Sequence, residues 1–182
     1  MKKLGDILIE SGLLTEEQLQ EALIKQKTGG RKLGETLVDM GLLSEIEIMK
    51  ALEYQTRIPY VDMSGLRIDP TTPGLISEEL AKKYCVIPVG YEDNQLVLVM
   101  NDPLDFIVID EIRYQTGKDI LPKMSTRQEI MAAIEYSYGK ENARRAAREL
   151  EKAFDVEEMV RITEQITDEV ANAPVVKLVN SI

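Results

Sequence analysis

Histidine and tryptophan are absent from the 182 residues, and cysteine occurs once, at Cys85. Because histidine is the commonest general base and a frequent metal ligand, its absence argues against most hydrolytic and metal-dependent enzymes. One cysteine forms no disulfide framework, which is typical of a cytoplasmic protein. At the start of an apolar run, Cys85 is best interpreted as a small buried residue. The lack of tryptophan excludes a tryptophan stacking platform.

Long apolar runs and net positive charge are also lacking. No run approaches the length that spans a bilayer, and the first ten residues, MKKLGDILIE, carry acids where a signal peptide is apolar. The net charge of −10 argues against binding to DNA or RNA, which requires a basic surface. We therefore expect a cytoplasmic globular protein without membrane insertion.

The common catalytic motifs are missing as well. The sequence contains no GxxxxGK[ST], GxGxxG, GxSxG, HExxH or CxxC pattern. The acidic pairs Asp102 with Asp105 and Asp110 with Glu111 are interpreted as a helix first turn and a solvated face, rather than as a carboxylate dyad. We therefore predict a binding fragment that is not an enzyme and that holds neither a cofactor nor a metal.

The most informative feature that is present is an internal repeat. KLGDILIESGLLTEEQLQEALIKQ, from Lys3 to Gln26, recurs as KLGETLVDMGLLSEIEIMKALEYQ, from Lys32 to Gln55, with 11 of 24 positions identical and no gap. Two like units side by side can build a site of approximate two-fold symmetry, which would suit a ligand that is itself two-fold symmetric. The repeat therefore points to binding.

Each copy is predicted to form two short helices. Apolar residues recur at helical spacing in both copies, and a glycine, Gly12 or Gly41, follows the first helix of each. A capping-box pattern then begins the second helix, at Thr15 in one copy and at Ser44 in the other. Residues 1–57 are therefore predicted to form a tandem four-helix unit.

Residues 58–139 have a mixed pattern, which predicts an α+β sandwich with the order β-α-β-β-α-β-α. The predicted elements are a strand at Ile58–Met63, a helix at Ser77–Lys83, strands at Cys85–Tyr91 and Gln95–Met100 separated by a hairpin signal at Glu92–Asp93–Asn94, a helix from Pro103 to about Gln115, a strand at Ile120–Met124 and a helix from Thr126 to Tyr138 that ends at Gly139. Residues 140–182 are predicted to be a charged helical linker, and the apolar APVVKLVNSI to be the first element of a further domain.

Polar positions recur in the repeat together with the apolar ones. Cations at the first helix, glycines that let a ligand approach the backbone, and terminal amides able to read a base edge are all duplicated. Packing alone remains an alternative, because leucines at helical spacing are usually core and a glycine can simply permit close helix contact. The duplicated positions are Lys3 and Lys32, Gly5 and Gly34, and Gln26 and Gln55.

These residues resemble the MshEN domain, the N-terminal module of assembly ATPases of type IV pili and type II secretion. The family motif RLGxxLxxxGxxxxxxLxxxLxxQ occurs twice with a five-residue spacer, which here is Lys27 to Arg31. The segment LVLVMNDPLDFIVIDEIRYQTG also resembles the hairpin and helix of the family's α/β half. The similarity covers essentially the whole chain, and Ile48 is the one conservative departure among these motif positions: Leu4, Gly5, Leu8, Gly12, Leu19, Leu23, Gln26, Leu33, Gly34, Leu37, Gly41, Ile48, Leu52 and Gln55.

The resemblance implies that the domain binds cyclic di-GMP, a two-fold symmetric dinucleotide, with one half in each motif. Leucines would pack on bases and ribose, the first-position cation would contact guanine, and Asp102 would accept from guanine N–H groups. Lysine replaces the motif's arginine in both copies and loses the planar guanidinium fork, so weaker binding is an open outcome. The candidate ligand-binding residues are Lys3, Leu4, Gly5, Leu19, Leu23, Gln26, Arg31, Lys32, Leu33, Gly34, Ile48, Leu52, Gln55 and Asp102.

The same resemblance implies that the rest of an ATPase motor follows in the same chain. An alternative function also fits the sequence: a docking module, independent of nucleotide, that recruits the ATPase to a cytoplasmic platform protein of the pilus or secretion machine.

Overall fold

The computed structural model describes residues 2–171, and the side chains of residues 2–169. The chain forms two compact units, Met1–Tyr138 and a second that begins at Gly139. The segment APVVKLVNSI, predicted to open a further domain, lies outside the described residues.

Four helices form from the repeated sequence, two from each copy, at the positions that the pattern predicts. They are α1 (Leu4–Glu10), α2 (Glu16–Gly29), α3 (Leu33–Asp39) and α4 (Glu45–Thr56). Both predicted capping boxes are present: the Thr15 hydroxyl accepts from the Gln18 backbone, and the Ser44 hydroxyl accepts from the Glu47 backbone. Each box satisfies N–H groups that would otherwise lack a partner at the helix start.

A left-handed residue ends the second helix of each copy. In the first copy it is Gly30, with φ of 66°, and in the second it is Arg57, with φ of 62°. Only glycine adopts this region without a steric cost, so Arg57 carries a local strain that Gly30 does not. The Arg57 guanidinium lies 5.4 Å from the centre of the Tyr54 ring, a cation–π contact that offsets part of this strain.

The four helices enclose one hydrophobic cluster, built from both copies. Most of its buried members lie on the inner faces of the helices, as helical spacing of apolar residues predicts, and Leu14 and Leu43 lie in the equivalent turns that join the two helices of each copy. They are Ile7, Leu8, Leu14, Leu19, Ala22, Leu37, Leu43, Ile48 and Ala51.

The remainder of the first unit is built on a three-stranded sheet. Its strands are β1 (Val86–Glu92), β2 (Gln95–Met100) and β3 (Ile120–Met124), with β2 in the centre, antiparallel to β1 and parallel to β3. The predicted hairpin is confirmed: Asp93 and Asn94 both have positive φ, of 46° and 66°, as a two-residue I′ turn requires. The helices are α5 (Glu78–Tyr84), α6 (Phe106–Thr116) and α7 (Arg127–Ala171).

The predicted strand at Ile58–Met63 is wrong. This segment forms only an isolated parallel bridge between Tyr60 and Met124, at the outer edge of β3. Two hydrogen bonds form this bridge: Val61 N–H donates to Met124 O at 2.8 Å, and Met124 N–H donates to Pro59 O at 2.9 Å. Pro59 has no N–H of its own with which to extend the ladder. The chain then turns at once into a 3-10 helix at Met63–Gly65, because the Asp62 carboxylate accepts from Ser64 N.

Two predicted helix limits also differ from the structure. Pro103 does not open a helix; α6 begins at Phe106, because the Asp105 carboxylate accepts from Val108 N and acts as the N-cap. Gly139 does not end one; α7 continues through it to Ala171. A glycine stops a helix when it adopts positive φ, and Gly139 does not, since the residues after it are strong helix formers.

The described residues therefore form an α+β fold with seven α-helices and one small mixed sheet. A second hydrophobic cluster, from Met63 to Tyr138, fills the sheet half. None of the described helices combines the length and the apolarity needed to cross a membrane.

Candidate functional site

The first helix of each copy packs against the second helix of the other copy. Helix α1 contacts α4, and α2 contacts α3. If the two copies are interchanged, the first contact becomes the second, so this packing is what an approximate two-fold axis between the copies would produce. The motif positions at the start of one copy are therefore brought to the helix that ends the other copy.

The duplicated glycines lie against the second helix of their own copy. A Cβ on Gly5 would be 2.9 Å from both Leu19 methyl groups, and a Cβ on Gly34 would be 2.8 Å from Ile48 Cγ2. These distances are too short for carbon atoms, so glycine permits the close helix contact, as the packing alternative predicts. Leu19 and Ile48 are accordingly buried, whereas the candidate residues Leu23 and Leu52 keep part of their surface.

One end of the second copy reaches the start of the first. The Gln55 amide Nε2 donates to the backbone oxygen of Lys2 at 2.7 Å, next to Lys3. A Cβ on Gly34 would also lie 4.0 Å from Leu4 Cδ2, so the starts of the two copies adjoin. The structure therefore brings Leu4, Gly34 and Gln55 into one region, at the junction of the copies.

Asp102 joins this region from the sheet half. One carboxylate oxygen pairs with the Lys32 ammonium, and the other accepts from the backbone N–H of Leu104 at 3.2 Å, which orients the side chain. Sequence spacing alone could not put these residues together, because 70 positions separate them. The Lys32 side chain is 65% exposed, so the pair contributes about 0–1 kcal/mol to stability.

A second link between the halves was not predicted. The Glu45 carboxylate, in the first turn of α4, accepts from the backbone N–H of Arg127 at 2.6 Å and from the Asn101 amide at 3.2 Å. Asn101 precedes Asp102, so two consecutive residues after β2 hold the repeat to the sheet half. A glutamate in the first turn of a helix gives no sequence pattern that would reveal this role.

The cations of the two copies differ in their surroundings. Lys3 is exposed and has no ion pair within residues 2–169, whereas Lys32 is paired with Asp102. Arg31, the candidate ligand-binding residue next to Lys32, pairs with Asp39. The half-buried Gln26 amide makes no hydrogen bond to other described side chains or backbone groups, in contrast to Gln55. The site is thus symmetric in its helices and asymmetric in its polar groups.

The surroundings of Cys85, Asp105 and Asp110 do not suit catalysis, as expected from the sequence. Burial raises the pKa of the Cys85 thiol to about 11, which disfavours the nucleophilic thiolate. Asp110 pairs with Arg113 on the surface of α6, and Asp105 caps that helix. The part of the chain that the structure describes contains no cluster of three side chains suited to a metal ion.

Known proteins match this chain in sequence. Residues 56–144 match the MshEN domain family. The type IV pilus assembly ATPase PilB of Myxococcus xanthus is 30% identical over 99% of this chain, and PilB of Thermus thermophilus is 37% identical over 86%. Type II secretion system protein E of Xanthomonas campestris is 31% identical over 68%. The chain spans only 32%, 22% and 22% of the lengths of these three relatives.

A solved structure of MshE with cdg shares the fold. Its TM-score is 0.69 and its identity 29%, and the match covers 76% of this chain and 100% of that one. The sequence and structure matches agree with each other: residues 56–144 match the MshEN domain family, and the relatives are assembly ATPases of type IV pili and type II secretion.

Proposed function

We propose that this chain is the regulatory N-terminal module of a type IV pilus or type II secretion assembly ATPase, and that it binds cyclic di-GMP through its two motifs. The observation that carries the proposal is the contact of Gln55 with the Lys2 backbone, because it joins the last position of one motif to the residue that directly precedes the other motif. A ligand with two equal halves fits a junction at which two equal motifs meet. The solved structure of the relative MshE is one with cdg, an abbreviation of cyclic di-GMP.

The charges of the region suit an anionic dinucleotide. Although the chain has a net charge of −10, the stretch from Lys25 to Lys32 contains four cations and no acid. Lys32 is held by a single carboxylate, that of the half-buried Asp102, and a pair whose lysine is exposed costs little to separate. A ligand phosphate or guanine can therefore compete for the Lys32 ammonium.

Asp102 has two possible roles, and they predict opposite effects of one substitution. If its carboxylate accepts hydrogen bonds from a guanine, Asp102→Asn weakens binding. If it only neutralises Lys32, the same substitution frees a cation and tightens binding of an anion. We expect weaker binding, because Leu104 N–H orients the carboxylate independently of Lys32.

The amides at the motif ends give the sharpest test. We expect Gln26→Ala and Gln55→Ala each to raise the Kd for cyclic di-GMP by about 3- to 10-fold, the loss of one hydrogen bond, measured by titration calorimetry. Gln20→Ala is the matched control, because Gln20 is an exposed glutamine on α2 that does not occupy a fixed position of the repeated motif. Equal affinities for all three variants would reject the site. Gln55→Ala also removes the bond to Lys2, so its melting temperature must be measured as well.

The lysines at the first motif position predict a gain of function. Lys3→Arg and Lys32→Arg restore the motif's guanidinium, whose planar fork can make two parallel hydrogen bonds. We expect each to tighten binding by about tenfold or more. Unchanged affinity in both would show that the first position does not contact the ligand.

The alternative function, docking to a platform protein, has an observation in its favour. Helix α6 leaves large apolar side chains in water: Phe106 is 63% exposed, Ile107 80% and Tyr114 90%. Exposed apolar patches of this kind often mark protein interfaces. Co-purification with the platform protein of the same machine, with and without cyclic di-GMP, separates the functions, because docking alone would be independent of nucleotide. Ile107→Ser should abolish capture, while Gln20→Ala should not.

A further inference from the structure

The second unit leaves an unusual amount of apolar surface in water. Among its described residues, each of seven large apolar side chains of α7 is between 50% and 69% exposed. A helix that serves only as a solvated spacer needs no such residues. They are Leu150, Phe154, Val156, Met159, Val160, Ile162 and Ile166.

These side chains form two separate faces. At 3.6 residues per turn, Ala143, Ala147, Leu150 and Phe154 lie together on one side of the helix, and Ala146 and Ala153 flank them. The apolar positions from Val156 to Ile166 centre about 160° away, on nearly the opposite side. A continuous helix cannot bury both faces against one surface, so one face stays in water whichever is covered.

A helix-start pattern lies between the two faces. Asp155 is a preferred N-cap residue, and Glu158 stands three positions later, as in a capping box. Phe154 and Met159 occupy the two positions of a hydrophobic staple around that cap. The same chain uses such boxes at Thr15 and Ser44, where helices do begin. In α7 the pattern stands inside a continuous helix.

The charges of the two halves are complementary. Residues 140–154 contain five Lys or Arg and three Glu, whereas residues 155–169 contain six Asp or Glu and one Arg. If the two halves lay antiparallel, the basic half would run along the acidic half. The apolar faces could then meet, because a turn at Asp155 allows each half to rotate independently.

From these three features we infer that residues 140–169 are a two-state arm, which is a continuous helix in one state and a helical hairpin hinged at Asp155 in the other. In the hairpin, the face with Leu150 and Phe154 packs on the face with Met159 and Ile166. The arm is thus a conformational device that changes its own length, independently of whether the repeat binds a nucleotide.

A distance measurement tests the inference on the whole chain. Spin labels at Glu141→Cys and Asp168→Cys, in a Cys85→Ala background, are about 40 Å apart along a continuous helix. In the hairpin they are below about 20 Å, since packed helix axes lie 8–10 Å apart. We expect both distances in double electron–electron resonance and line-broadening spectra. A wild-type arm that shows only the long distance would overturn the inference.

Two variants and one dilution complete the design. Val156→Pro enforces a helix start after Asp155 and supplies the reference spectrum of the bent arm. Asp155→Ala removes the cap, and we expect the ratio of short to long distance to fall about fivefold, as the typical loss of an N-cap implies. Dilution with unlabelled protein must leave the short distance unchanged. If dilution removes it, the faces pair between two copies of the chain, and the hairpin is wrong.

Discussion

Replacing Gly34 by alanine tests the packing on which the site depends. The new methyl group would be 2.8 Å from Ile48 Cγ2, well inside the contact distance of two carbon atoms. Cγ2 is attached directly to Cβ, so it moves only if the whole side chain or helix α4 moves. Overpacking of this kind costs about 1–3 kcal/mol of unfolding free energy.

Gly5→Ala offers the matched comparison in the other copy. Its methyl group would be 2.9 Å from the ends of the Leu19 side chain, which a χ2 rotation can move. We therefore expect Gly5→Ala to cost less than Gly34→Ala. Ile48→Leu gives the second copy the unbranched Cβ of the first, so the cost of Gly34→Ala in that background should approach the cost of Gly5→Ala.

Urea denaturation followed by far-ultraviolet circular dichroism measures these differences. Gly29→Ala is the control, because Gly29 lies in α2 with no atom within 4 Å of the added carbon, and alanine favours helix. The reasoning is refuted if Gly34→Ala is as stable as the wild type or more stable. That result would mean that the glycines are not required for contact between the helices of a copy.

Three further outcomes follow from the contacts. Tyr138 is buried and donates to Pro73 O, and burial raises the pKa of its hydroxyl to about 12, so the folded state holds this proton more tightly than the unfolded state does. The unfolding free energy should therefore fall by up to about 2.7 kcal/mol between about pH 10 and about pH 12. Denaturant titrations at each pH measure this fall, which should be smaller in Tyr138→Phe. Glu45→Ala removes the acceptor of the exposed Arg127 N–H, which water can replace, so the unfolding free energy should drop by about 0.5–1.5 kcal/mol, whereas Glu21→Ala, on an exposed face, should change little. Arg57→Gly removes the left-handed strain and should be neutral or stabilising by less than about 1 kcal/mol, and marked destabilisation would mean that the contact with Tyr54 outweighs the strain.

The sequence predicted those parts of the fold that local chemistry determines. The capping boxes at Thr15 and Ser44 and the hairpin turn at Asp93–Asn94 are encoded within a few residues, and each is present. In each case the side chain or backbone angle that makes the structure belongs to the residues of the motif itself. Such features need no information about distant parts of the chain.

The predictions failed where the local structure depends on a distant residue or on a competing preference of neighbouring residues. Ile58–Met63 has strand composition, but one proline and the Asp62 turn limit it to a single bridge with Met124. Gly139 ends a helix only if the backbone turns left-handed there, and the residues that follow favour continuation. In both cases the local preference was real, and a neighbouring preference was stronger.

The candidate site also has a part that the sequence identifies and a part that depends on the fold. The motif positions identify Lys32 and Gln55 from sequence, because the pattern repeats. Their partners, Asp102 and the Lys2 backbone, are 70 and 53 positions away, and only the fold brings them together. The packing role of the glycines could be weighed from sequence but not decided, because it depends on the separation of two helices.

The stoichiometry of cyclic di-GMP binding to the wild-type chain is the most direct test of the central claim. If the two motifs share one ligand across their junction, titration calorimetry with up to about 100 μM ligand, enough to detect binding of about −5.5 kcal/mol, gives one saturable site per chain. Two independent sites per chain, or no binding by folded protein, would contradict the account.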